Sequence, residues 1–148
     1  MLKLILLLSV FFSAKVLAQV TVLEPLNFGT IVVVKNTPSS SITLLPSGTS
    51  STTNIHLMHS GNPAELLFEG YGARVQLNIS DTGVYPSLSR VNGGNAFILN
   101  NVIYASSVTT NAYGMGVLKV GGQLSTSGNG QPYIDDNYST TIELTISY

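Results

Sequence analysis

Two histidines, His56 and His59, stand three positions apart and are the only imidazoles in the 148-residue chain. On a helix that spacing would bring both to one face, where they could share a metal ion. The surrounding run, Thr53 to Met58, reads instead as a strand that leads into a Ser60-Gly61-Asn62-Pro63 turn. Positions three apart on a regular strand point to opposite faces, so the pair is expected as two surface residues. Oxygen donors gather at Asp135-Asp136-Asn137. They do not alternate along a Ca²⁺-binding loop of the EF-hand kind, and turn chemistry accounts for them. Serines are plentiful, yet no Gly-x-Ser-x-Gly elbow appears. Glu65 and Glu69 flank Leu66-Leu67-Phe68 and read as the solvent face of a strand, not as a glycosidase pair. Gly70-Tyr71-Gly72, Gly114-Met115-Gly116 and Gly128-Asn129-Gly130 lack the strand-to-helix setting of a phosphate cradle and are expected as turns. The expectation is a protein that is not an enzyme and holds no cofactor or metal.

Composition points the same way. There is no cysteine, which excludes disulfides, thiolate metal sites and cysteine nucleophiles. Six basic residues stand against seven acidic ones, for a formal charge of −1. No basic patch for nucleic acid can be built from that set. The first residues, Met1 to Ala18, have the layout of a secretory signal peptide. Lys3 supplies the positive region, Leu4 to Phe12 is apolar except for Ser9, and Val16-Leu17-Ala18 ends on a small residue. The apolar stretch is shorter than the roughly 20 residues needed to span a bilayer. Residues 19–148 are then expected as one secreted domain located in the periplasm, at the cell surface or outside the cell. Asn78-Ile79-Ser80 and Asn137-Tyr138-Ser139 match the N-glycosylation acceptor pattern, which matters only in a eukaryotic secretory route.

The elements that would position any site are short strands. Val20 to Leu23, Phe28 to Val34, Ser41 to Leu45, Thr53 to Met58, Ala64 to Glu69 and Arg74 to Ser80 are β-rich runs divided by turn residues. Gly29 is a candidate bulge. Tyr85 to Val91 is demoted to an edge by Pro86, and Asn92-Gly93-Gly94-Asn95 is a tight-turn sequence. Phe97 to Ser107 makes one or two strands, and Val117 to Val120 is separated from Gln123 to Thr126 by Gly121-Gly122. Ser127 to Asn137 reads as a polar loop. Tyr71, Tyr85, Tyr104, Tyr113 and Tyr133 lie near turns and are expected as scattered surface residues. The pattern predicts an all-β, immunoglobulin-like antiparallel β-sandwich of roughly nine to eleven short strands.

The final segment is the clearest of these runs. From Thr141 to Tyr148 apolar and polar residues alternate. Ile142, Leu144, Ile146 and Tyr148 are expected on one side of a strand. Burying four such side chains would contribute roughly 6–12 kcal/mol, so the strand is expected to belong to a core.

Leu26-Asn27-Phe28-Gly29-Thr30-Ile31 resembles the opening of a family of small secreted bacterial proteins known as domain of unknown function 4402. Pro46-Ser47-Gly48, Pro63-Ala64-Glu65-Leu66, Val120-Gly121-Gly122-Gln123-Leu124 and the closing Thr145-Ile146-Ser147-Tyr148 follow in the same order. The family's Tyr-Ser-Gly-Thr pattern departs here to Tyr138-Ser139-Thr140-Thr141. The resemblance implies a surface protein similar to spore-coat-U-like and fimbrial subunit domains. In that reading Ile142, Leu144, Ile146 and Tyr148 form the strand that a periplasmic chaperone grips. Val20 and Val22 would start a donor strand for a neighbouring subunit, within a fibre assembled at an usher by β-strand addition. The alternative is a self-sufficient secreted sandwich that binds a ligand or coats the cell with no strand exchange.

Overall fold

The computed structural model describes residues 17–148. The signal-peptide reading, apart from Leu17 and Ala18, lies outside the described residues. Eleven strands and no helix are found among them: β1 (Gln19–Glu24), β2 (Asn27–Val33), β3 (Ser41–Leu44), β4 (Ser50–Thr53), β5 (Ile55–Asn62), β6 (Ala64–Glu69), β7 (Gln76–Ser80), β8 (Ile98–Tyr104), β9 (Ser107–Thr109), β10 (Gly116–Ser125) and β11 (Thr145–Ser147).

Alternation within the strands decides what is buried. In β6 Ala64 and Phe68 turn inward, as do Leu118 and Val120 in β10 and Leu77 and Ile79 in β7. These faces pack together as one core. The larger sheet has the order β1-β6-β10-β3-β4, with β8 paired to β10 on the edge opposite β3. Facing it is a three-stranded sheet, β11-β7-β9, and a separate ribbon pairs β2 with β5. All these ladders are antiparallel. The molecule is an all-β sandwich, as the patterning predicts.

Several boundaries differ from the sequence reading. Gly121-Gly122 does not separate two strands, because β10 runs unbroken from Gly116 to Ser125. A Cβ at Gly121 would sit 2.1 Å from the Leu44 carbonyl oxygen. Glycine is therefore there to let two backbones approach, not to turn the chain. The expected turn at Ser60-Gly61-Asn62-Pro63 is also absent. β5 continues to Asn62 while pairing with β2, and β6 starts at Ala64 in the large sheet, so the chain changes sheets at Pro63 instead of reversing. Tyr85 to Val91 forms no strand. It contributes two isolated bridges, Leu88 to Phe97 and Ser89 to Ser139.

The ribbon carries an irregularity with consequences for the histidines. His59 lies opposite Thr30, and Leu57 lies opposite Ile31, which leaves Met58 as an extra residue in β5. This is a β-bulge. His56 pairs with Val32, so both imidazoles share the face of β2 that carries Thr30 and Val32. The expectation of opposite faces fails because a bulge shifts the two-residue period by one.

The polar loop after β10 is fixed by one side chain. Asn36, which is buried, donates from Nδ2 to the Gln131 carbonyl at 2.7 Å and to Asn129 Oδ1 at 2.9 Å. Its Oδ1 accepts from the Gly128 amide at 2.8 Å. Tyr133 and Tyr138 from the same region stack on Phe97 with ring centroids 4.3 and 4.9 Å away. These tyrosines are packing residues, unlike Tyr113, which is exposed. Asn36→Ala strips the Gly128 amide, the Gln131 carbonyl and Asn129 Oδ1 of their common partner. It is expected to destabilise by about 1–3 kcal/mol and to speed hydrogen exchange selectively in residues 127–131. Uniform exchange across the domain would contradict this role.

Candidate functional site

An apolar groove of about 580 Å³ opens along one edge of the sandwich. Val20 and Val22 of β1 form one wall with Ala64 and Leu66 of β6, and Leu99 and Val120 lie deeper. The opposite wall is the C-terminal segment, through Tyr138, Ile142, Leu144 and Ile146. The groove exists because the edges of the two sheets, β1 and the C-terminal segment, do not close on one another. β1 is exposed along its whole length, although it pairs with β6 from Gln19 to Glu24.

The C-terminal segment is held at both ends and free between them. Ser139 exchanges backbone hydrogen bonds with Ser89 at 3.1 and 3.2 Å. Thr145 to Ser147 form β11 on Ser80 to Asn78 of β7. Residues 140–144 lie in no ladder among the described residues and bond to no other backbone group. At a rise of about 3.3 Å per residue, they present roughly 16 Å of unpaired extended backbone. A second cavity, of about 200 Å³, lies between the segment and the Thr82–Pro86 loop, bounded by Thr141, Ile142 and Glu143. Neither flank of this stretch is closely packed.

The residues expected to bury together therefore divide. Ile142, Leu144 and Ile146 pack partly against the core, and only Ile146 of the three is in a strand. Tyr148 is 79% exposed. It lies one position past β11 and leans edge-on against Tyr71, with centroids 5.3 Å apart. The expected four-residue core strand is thus corrected to a half-buried segment with an exposed terminal ring. The reason is that β7 ends at Ser80 and provides no partner upstream of Thr145.

A polar latch supports the loop beside this segment, and sequence reading missed it. Tyr85 and Tyr104 both donate to Asp81 Oδ2 at 2.8 Å. The Gly83 amide donates to Oδ1 at 2.7 Å. The Tyr104 hydroxyl, then that of Tyr85, hold the Asp81 carboxyl below the ordinary carboxylate range. Burial, reinforced by the hydrogen bond to Asp81, pushes Tyr104 up to about 12. Asp81-Thr82-Gly83 is visible in the sequence as a turn, but its tyrosine partners lie 4 and 23 residues away.

The sign of the pH dependence follows. The Asp81 contribution is complete above its unfolded value near pH 4 and is lost as pH falls through the lower folded value. The Tyr104 contribution is complete below pH 10 and disappears as pH rises toward 12. Asp81→Asn is expected to flatten the acid limb of a stability-versus-pH curve below about pH 4. An acid limb identical to that of the parent would remove the latch from the account.

Among the described residues no group of three or more histidines or carboxylates is placed to hold a metal ion. Asp136 instead pairs with Arg90 at 3.4 Å, and Glu65 lies 3.8 Å from Lys119. No helix among the described residues is long and apolar enough to cross a membrane.

Fold and site define an all-β sandwich with an apolar cleft beside an unpaired extended segment. The chain belongs to the family described as Domain of unknown function (DUF4402), whose model matches residues 18–148. No curated protein and no solved structure matches it.

Proposed function

We propose that this is an exported, non-enzymatic structural or adhesive surface protein that accepts a β-strand from another chain. It acts as a fimbrial-like subunit, with a periplasmic chaperone and then a neighbouring subunit as strand donors at an usher. The observation that carries this reading is the unpaired backbone of residues 140–144 beside the apolar groove. Strand addition needs these two features together, because main-chain hydrogen bonds supply affinity and apolar pockets take alternate side chains. Val20 and Val22 suit a donor only in part, since β1 lies on its own β6.

A second reading rests on the core. Phe68, Ile42, Leu44 and Leu77 are fully buried within a single chain, which favours a self-sufficient binding or coat protein. Hydrogen exchange and size-exclusion chromatography of the exported chain separate the two. The strand-acceptor reading expects rapid exchange at residues 140–144 in the free chain and protection there in the assembled form. A cooperatively unfolding monomer at all concentrations, with those amides already protected, would overturn it.

A further inference from the structure

We infer that His56 and His59 form a two-imidazole site for copper, created by the β-bulge at Met58. Both side chains are exposed and stand on one face of the β2–β5 ribbon, as do Thr30 and Val32. The opposite face, carrying Ile31, Val33, Ile55 and Leu57, packs on the core. The residues opposite the histidines, Val32 and Thr30, are two positions apart on β2. The imidazoles therefore project from neighbouring points roughly 6–7 Å apart along the strand, within reach of one ion. Without the bulge, one of them would point into the core face.

The register that creates the pair is firmly set. A Cβ at Gly29 would lie 2.0 Å from the His59 carbonyl oxygen, and one at Gly61 would lie 1.8 Å from the Asn27 carbonyl oxygen. These close backbone approaches fix the register on one side of the bulge, and the Ile31–Leu57, Val32–His56 and Val33–Ile55 pairs fix it on the other. Neither imidazole is engaged in an ion pair among the described residues, and neither lines the groove. Imidazole suits copper and zinc, and affinity for divalent first-row ions peaks at Cu²⁺. With two protein donors, water completes the coordination. Met58, itself exposed, places a soft thioether in the same stretch.

The test is titration of the untagged chain with Cu²⁺ alone, followed by electron paramagnetic resonance. One ion per chain with nitrogen coordination is expected. His56→Ala and His59→Ala should each weaken binding by about tenfold or more. Deleting Met58 removes the extra residue but leaves the histidines two positions apart, still opposite Val32 and Thr30 on one face. A folded deletion variant should therefore keep binding. Thr30→His in the His56→Ala background places a new imidazole directly across from His59, with Cβ atoms about 5 Å apart, and should restore binding. Parent-like affinity in either alanine variant, or no recovery with Thr30→His, would overturn the assignment.

Discussion

Removal of Leu144 to Tyr148 is expected to leave a chain that no longer folds as a cooperative unit. Leu144 and Ile146 are each partly buried against the core. At about half of the usual 1.5–3 kcal/mol for a buried aliphatic side chain, together they contribute roughly 1.5–3 kcal/mol. The truncation also removes β11 and its three residue pairs with β7, worth about 0.5–1.5 kcal/mol for each hydrogen bond lost. Ile79, now 5% exposed, would then border an open sheet edge. The combined loss of about 3–7 kcal/mol is a large part of the 5–15 kcal/mol that holds a typical domain together. Soluble yield and thermal unfolding report the result. A truncated chain with an unchanged, cooperative transition would show that the segment is not part of the fold. Tyr148→Ala alone should have little effect on stability, because the residue is 79% exposed and its ring meets Tyr71 in a T-shaped contact.

Phe68→Ala should be the most damaging single change in the large sheet. Phe68 is fully buried on β6, which joins β1 to β10. Its ring meets Tyr71 edge-on at 6.2 Å. Truncation leaves a cavity that strands paired on both sides cannot collapse to fill, at a cost of about 3–5 kcal/mol. The denaturant midpoint should fall accordingly with little change in slope. A loss below about 1 kcal/mol would mean that the core is looser than the burial of Phe68 requires. Because Leu66 lies on the same strand and lines the groove, the variant should also weaken any strand capture, even under conditions where it remains folded.

Much of this molecule is legible from local pattern. Gln76 to Ser80 alternates so regularly that Leu77 and Ile79 can only be inward. The absence of cysteine leaves packing and hydrogen bonding to hold the sheets. Alternation says nothing, however, about which strand lies alongside. Thr141 to Tyr148 carries the strongest alternation near the C-terminus, yet only Thr145 to Ser147 finds a partner, because β7 is too short to pair with the rest. Ser127 to Asn137 reads as a polar loop, and a buried amide ninety-two residues away from Gly128 holds it in place.

By itself the sequence determined most of the strands, many of their inward-facing residues and the all-β class, since these follow from a two-residue period and from side-chain chemistry carried by each segment. Only the tertiary structure decided that Asp81 gathers two tyrosines, that the two sheet edges leave an apolar groove, and that the histidines share a face. Each of these depends on the register between segments distant in the chain. A single extra residue, Met58, is enough to reverse which way the side chains beyond it point.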